Sequence, residues 1–398
     1  MKLIGFLCLA SLFCLPGQVG AFYEVEDGGR TLELRGFMGL GAGWFKYPAN
    51  NIVYAEEDDL AWSANFRLLV DAGLTEKLYL TANVLQSSYS KPPLSPAFAS
   101  LFPIDVDRSS ILTWEQHDSL NSRSELLVDD LHLQYSASRL ELAVGRQPVN
   151  LAATFYFTPN DFFAPFAPQT FFRSYKPGVD ALRADYRLAE LSQVTVLGVL
   201  SYDPDPGSSN GWSADPDWSG SSLLVRMSHE MAGFEWAVLA GTVDDHTISG
   251  GSLQGELFEL VGLRMEGHYA DPETTGTNSY YKLSTGLEKL YANSFNWRVE
   301  YYHNSGGSAN FGNQGSNYGA FGCGYQFTPL LIGSFLALTN LGDDSLLFSG
   351  NLLYSVSDES ELSLIISLPS GDEPNMVDPG SEFGRQPLAV LLEYRLYL

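Results

Sequence analysis

Two short runs carry residue types that enzymes use. His303-Asn304-Ser305-Gly306 sets a hydroxyl near an imidazole, and Asp244-Asp245-His246 sets carboxylates beside one. A hydrolase needs nucleophile and base within hydrogen-bond reach, plus an oxyanion site. Neither run carries the signature of membrane-embedded lipases or aspartyl proteases. Each reads as a polar loop edge, and no catalytic residue is assigned. Asp203, Asp205, Asp215 and Asp217, with Gly and Ser between them, offer the oxygen ligands that calcium prefers. Their spacing matches no calcium loop, and Asp-Pro and Gly-Ser steps are ordinary turn chemistry. No metal and no cofactor is assigned. Cys8 and Cys14 lie in the leader, which leaves Cys323 as the one mature cysteine. An internal disulfide, a Cys-x-x-Cys metal pair and a Cys-x-x-Cys-His haem site are therefore excluded, and Cys323 reads as a small strand residue.

The leader has a recognisable form. Lys2 precedes an apolar run from Leu3 to Leu15, Pro16-Gly17 breaks it, and Val19-Gly20-Ala21 supplies small residues before Phe22. That is a secretory signal peptide over 1–21, cleaved to leave a single unit over 22–398. The run is too short to cross a bilayer, which takes about 20 residues. Phe13 before Cys14 excludes a lipoprotein acceptor. The mature chain has no stretch of 18 consecutive apolar residues, so a helical membrane protein is excluded. With 22 Lys plus Arg against 47 Asp plus Glu, the net charge of −25 repels phosphate polymers and excludes nucleic acid as a partner. Such acidity is also compatible with disorder, but 13% aromatic content and strict patterning oppose that.

The pattern has period two. Trp62, Ala64, Phe66, Leu68 and Val70 alternate with Ser63, Asn65 and Arg67, as the two faces of a strand require. Leu182, Ala184 and Tyr186 alternate with Arg183, Asp185 and Arg187; Trp297, Val299 and Tyr301 alternate with Arg298 and Glu300. Three features favour a membrane barrel over a soluble sandwich. Connectors alternate short (Gly73–Glu76, Ser136–Ser138, Ala189–Ser192, Met231–Gly233) and long (Ser90–Asn121, Gln147–Pro177, Asp203–Ser219, Ser370–Gln386), as periplasmic turns and external loops do. Aromatic residues sit at strand ends, among them Trp44, Phe45, Tyr79, Tyr186, Tyr202, Tyr269, Tyr280, Tyr301 and Tyr354, where interface girdles form. The chain also ends inside a strand whose apolar face is Val390, Leu392, Tyr394, Leu396 and Leu398.

The expected fold is all-β: a transmembrane antiparallel up-and-down barrel of about 16–18 strands. The strands fall near 33–45, 59–71, 77–88, 124–135, 139–146, 178–188, 192–202, 221–230, 234–243, 247–257, 260–269, 279–289, 294–304, 318–327, 330–340, 345–356, 361–369 and 387–397. The pair across Thr247 to Tyr269 has a very short turn. A barrel of this size encloses an aqueous lumen, and Arg67, Arg187, Glu288, Arg298, Glu300, Glu393 and Arg395 are expected on its wall.

One long connector is set apart by composition. Gln147 to Gly178 holds Phe155, Tyr156, Phe157, Phe162, Phe163, Phe166, Phe171, Phe172 and Tyr175 with Pro159, Pro165, Pro168 and Pro177. A free external loop would not present so many rings to water. The segment is expected to fold into the barrel and narrow it, with Arg146, Asn160, Asp161, Arg173, Lys176, Asp180 and Arg183 at the narrow point and Asp161 opposed to Arg173. Asn304 to Tyr318, rich in Gly, Ser and Asn, reads as a mobile external loop.

Three stretches of this region, Gly145-Arg146-Gln147-Pro148, Thr158-Pro159-Asn160-Asp161-Phe162-Phe163-Ala164-Pro165 and Tyr175-Lys176-Pro177-Gly178-Val179-Asp180-Ala181-Leu182-Arg183, resemble a region of porin-like outer-membrane proteins of Gram-negative bacteria. The resemblance covers about a tenth of the chain. It implies an outer-membrane barrel and no particular substrate. The sequence thus points to a channel for passive diffusion of small hydrophilic solutes or ions, cation-preferring if its acids face the lumen. Such a protein contacts lipid and lipopolysaccharide, and a homo-oligomer stays open. Two rivals also stay open. One is a scaffold that sheathes a multihaem cytochrome; the other is a surface adhesin or receptor acting through its loops.

Overall fold

The computed structural model describes residues 23–49, 53–94, 107–205, 207–208, 211–273, 278–306, 316–374, 378 and 380–398. The expected signal peptide over 1–21 and the greater part of Asn304–Tyr318 lie outside the described residues. Among them, strands join into one sheet that closes as an 18-strand antiparallel barrel. In chain order the elements are β1 (Tyr23–Asp27), β2 (Arg30–Lys46), β3 (Asp58–Thr75), β4 (Leu78–Ser90), β5 (Thr113–Asp118), β6 (Ser122–Ser136), β7 (Leu140–Gln147), β8 (Val179–Ala189), β9 (Ser192–Tyr202) and β10 (Pro216–Met231). They continue as β11 (Phe234–Val243), β12 (His246–Leu257), β13 (Val261–Pro272), β14 (Tyr280–Leu290), β15 (Asn296–Asn304), β16 (Asn317–Thr328), β17 (Leu331–Asn340), β18 (Ser345–Ser357), β19 (Ser360–Ser370) and β20 (Leu388–Tyr397). Each of the eighteen expected strands is present, and the short-turned β12–β13 hairpin is among them. The ring closes where β20 pairs β2, with Phe37 opposite Tyr397 and Lys46 opposite Leu388. Leu398 adds to that seam by exchanging backbone hydrogen bonds with Gly36. Closure leaves no unpaired edge in lipid.

Two strands stand outside the ring and were not expected from the pattern. β1 folds back on the start of β2. β5 pairs the first half of β6, against Arg123 to Leu127. Its place follows from the shortness of β7, which reaches only the second half of β6, from Leu131 to Ser136. β5 therefore takes the edge of β6 that β7 leaves vacant, and the chain leaves the wall at Gln147 below it.

The sidedness is that of a membrane barrel. Leu60, Trp62, Phe66 and Leu68 on β3 are exposed while Arg67 between them is buried. Leu182 and Tyr186 on β8, Val299 and Tyr301 on β15, and Leu223, Val225 and Met227 on β10 are exposed likewise. A contiguous apolar exterior of this extent is stable only against hydrocarbon. Aromatic side chains band it at both ends: Trp44, Tyr269, Tyr281 and Tyr301 near the long loops, Tyr135, Tyr186, Trp236 and Tyr354 near the short turns. Tyr202 and Tyr280 do not belong to those bands. Tyr202 is buried and donates to Asp180 at 3.1 Å, and Tyr280 packs against an interior cluster. Both sit on lumen-facing positions of their strands. Cys323 is half-buried on β16.

Candidate functional site: the loop that crosses the lumen

Residues 148–178 cannot extend the sheet. Their five prolines each lack an N–H and fix φ, and no period-two pattern runs through them. The segment instead folds into the barrel. Glycine permits both stems. Gly145 has φ +122°, and a Cβ there would lie 2.3 Å from the Leu131 carbonyl oxygen. A Cβ on Gly178 would lie 2.4 Å from the carbonyl oxygen of Asp129, to which the Gly178 N–H donates at 3.0 Å. These two close approaches give physical content to the Gly145-Arg146-Gln147-Pro148 and Lys176-Pro177-Gly178 stretches.

The loop touches opposite sides of the ring. On one side Tyr175 stacks on Phe37 of β2 at 5.4 Å and takes the Arg67 guanidinium of β3 at 4.8 Å from its ring centre. Phe172 lies 3.6 Å from the Arg395 guanidinium of β20. Half-way round the ring, Asn160 donates to the Gly251 carbonyl of β12 at 3.0 Å, and Phe157 stacks on Tyr302 of β15 at 5.3 Å. A segment that meets both walls must span the lumen. Val149, Leu151 and Phe163 are buried in one apolar cluster, Tyr156 and Phe157 in another. Burial of each such side chain contributes about 1.5–3 kcal/mol, which favours the inward position over an external loop.

Two wall carboxylates meet the loop backbone directly. Glu266 of β13 accepts from the N–H groups of Ala153, Thr154 (3.2 Å) and Asn160 (3.2 Å). Glu300 of β15 accepts from Phe155 (2.8 Å), Tyr156 (2.7 Å) and Phe157 (3.1 Å). Both carboxylates are buried. The sequence places Glu300 on an open, wetted wall and does not mark Glu266; the structure puts both under the loop. The sequence signal for Glu266 is its position on the polar face of β13, which does not reveal what covers it.

The residues expected at the narrow point divide into groups. Arg146 is buried and forms a two-pronged pair with Asp180 at 2.8 and 3.1 Å, while also donating to the carbonyls of Ser109 and Val128. Asn160 is fully buried. Asp161 is buried and pairs with Lys176, which also donates to the Val149 carbonyl. The expected opposition of Asp161 to Arg173 is corrected: each has a nearer partner. Arg173 instead gathers loop carbonyls, donating to those of Thr170 (3.0 Å), Pro168 (3.1 Å), Ala167 (3.3 Å) and Phe155. Arg183 is half-buried on β8 beside Asp185 at 2.7 Å, and Arg187 is exposed.

On the wall, Arg67 pairs with Asp129 at 2.8 Å and Asn83 at 2.8 Å. Arg395 pairs with Glu361 at 2.7 Å and Glu393 at 2.6 Å. Both arginines are buried, so they hold the loop's stem and flank and do not simply hydrate the wall. Glu288 joins Arg264 (2.7 Å) to Arg298 (2.5 Å). Arg264 also donates to the Ala153 carbonyl of the loop at 2.9 Å. On the short-turn side of this contact lies a cavity of about 910 Å³, lined by Glu235, Gln254, Arg264, Glu288 and Arg298 among others.

A second loop supports the first. Residues 380–387 of the β19–β20 connector reach inward, so that Phe383 packs in the cluster holding Tyr156 and Phe157. Glu382 accepts from Tyr318 (2.5 Å) and Asn340 (2.8 Å), and its own N–H donates to Asp343 at 2.7 Å. The two runs considered for catalysis have separate structural partners. Ser305 accepts from the Tyr281 N–H at 2.8 Å, His303 lies 2.8 Å from Asn317, and His246 lies 2.6 Å from the Asp244 carbonyl. Asp205 and Asp217 accept from Gly207 and Ser219 in local turns.

A closed eighteen-strand antiparallel barrel with a loop across its lumen has the architecture of outer-membrane porins. Solved structures agree. The chain is similar in fold to Acinetobacter baumannii OccAB4 (TM-score 0.58, 11% identity, 92% of this chain and 97% of that one) and to a BenF-like porin from Pseudomonas fluorescens Pf-5 (TM-score 0.58, 10% identity, 92% and 98%). It is also similar to the outer membrane protein opdK from Pseudomonas aeruginosa (TM-score 0.55, 12% identity, 92% and 98%). No family model and no curated protein matches the sequence.

Proposed function

We propose that this chain is an outer-membrane channel, exported by its cleaved signal peptide, that passes small hydrophilic solutes through a loop-narrowed lumen. The observation that carries the reading is the loop 148–178 attached to both walls of an eighteen-strand barrel, with a cavity of about 910 Å³ beside it that Glu235, Arg264, Glu288 and Arg298 help to line. The likeness to solved porin folds supports it. Narrowing a lumen with polar and charged groups is how such barrels select what passes.

The channel prefers cations. Acidic residues crowd the long-loop end, where Asp58, Asp59, Asp203, Asp215, Asp244, Asp245, Asp343 and Asp344 all lie at strand ends or in connectors. A mouth of one sign concentrates the opposite ion before it reaches the narrow point. A cytochrome threaded through this barrel would have to displace the aromatic loop from two buried clusters, which makes the scaffold reading the weaker one. An adhesin reading draws on no particular contact.

Purified protein in planar bilayers tests the proposal. Discrete openings with a reversal potential of cation-selective sign in a salt gradient are expected. A correctly folded barrel that never conducts overturns the channel reading, and an anion-selective reversal potential overturns the preference.

A further inference from the structure

We propose that Glu266 and Glu300 are the positioning residues of the narrow point: their carboxylates set where the loop backbone lies in the lumen, and so the cross-section left open. The inference rests on the channel reading above, and its test is built to fail separately from it.

Six loop amides, those of residues 153–157 and 160, end on these two side chains. Successive backbone N–H groups turned toward one point form an anion-binding concavity. Here the bound anion belongs to the wall. The loop has no ladder to satisfy those donors, and a buried N–H without an acceptor is costly. Moving the loop toward the mouth would strip all six at once. The two anchors stand on β13 and β15, two strands apart, so they fix both position and tilt of the segment between Ala153 and Asn160. At 2% and 3% exposure neither carboxylate offers a surface to solute, which separates their role from that of a pore-lining charge. Glutamine is nearly isosteric but points an NH2 group at N–H donors, and so cannot accept the full set.

The experiment uses the full-length barrel carrying Cys323→Ser, with spin labels at Ala167→Cys on the loop and Glu256→Cys on the wall. Pulsed electron–electron distances are recorded beside single-channel conductance, and heat-dependent gel migration checks folding. Glu266→Gln and Glu300→Gln should each broaden the distance distribution, and together should replace it with a longer, wide one. Conductance should rise at least two-fold with added noise, while Glu190→Gln, exposed on the short turn between β8 and β9, behaves as the parent. Should a glutamine variant not fold, Glu266→Asp and Glu300→Asp retain charge at shorter reach and should give partial broadening. An unchanged distribution in the folded double variant, or in both aspartate variants, overturns the positioning role. Broadened distances in a protein that never conducts would sink the channel reading and leave the anchoring intact.

Discussion

The guanidinium of Arg298 lies 3.9 Å from the centre of the Phe155 ring, and that of Arg173 lies 4.4 Å from the same centre. A wall strand and two parts of the loop thus meet at one partly exposed aromatic side chain. Each contact of this kind contributes about 0.5–1 kcal/mol at accessible sites. Phe155→Ala removes the ring from between charges and frees both guanidinium groups toward solute. Conductance is expected to increase and the reversal potential to shift toward anions. An unaltered reversal potential would show that the ring and its two cations lie off the ion path.

The Asp161–Lys176 pair is buried, with side-chain exposures of 5% and 7%. Removing one partner from such a pair costs about 3–5 kcal/mol, because the other charge is left without compensation. Lys176→Met should therefore open the loop to proteolytic nicking between 148 and 178 in barrels that still migrate as folded. Asp161→Asn added to Lys176→Met should restore part of the resistance. Equal protection of the single variant and the parent would count against the pair as a fastening.

Asp343, in the turn between β17 and β18, titrates below the usual carboxylate range. Burial opposes that shift, but the N–H of Glu382 and the N–H and hydroxyl of Ser345 favour the anion and win. A carboxyl group with a depressed folded value stabilises above its unfolded value, near 3.8, and loses that contribution as pH falls through the folded one. The inward dock of residues 381–385 should accordingly be constant from neutral pH to about 4 and weaken only below it. Hydrogen exchange of the Glu382 and Phe383 amides measures this. Asp343→Asn should give fast exchange at every pH.

Val238 is 63% exposed at the middle of β11, while Ala237 and Leu239 beside it are buried. Arginine at the lipid face of a barrel costs about 2–4 kcal/mol near the bilayer midplane. Val238→Arg should slow or block folding into lipid vesicles, followed by heat-dependent gel migration. Folding at the parental rate would mean that this face does not meet hydrocarbon.

Most of the wall was legible because its rule is local. Trp62 to Val70 declares two faces within nine residues, and lipid on one side with water on the other enforces the alternation along every strand. β5 was not legible, since it exists only because β7 stops at Gln147 and leaves an edge of β6 free. The inward path of 148–178 could be read from rings too numerous for an aqueous loop. The partners inside could not. Asp161 meets Lys176 and not Arg173 through a fold of the loop that obeys no period. Glu300 and Glu288 look alike in sequence, each on a polar strand face, yet one binds amides under the loop and the other bridges two arginines beside a cavity.

Phe37 and Arg395 stand on the first and last strands of the ring, and the same loop reaches both, through Tyr175 and Phe172. Joining those strands directly means closing nearly the whole chain in one step, with a matching entropic cost. A mid-chain segment that holds each partner divides that search in two. The aromatic loop is thus also a clasp across the seam: side chains from mid-chain hold the first and last strands together besides their own ladder, and the bore and the weld share one part.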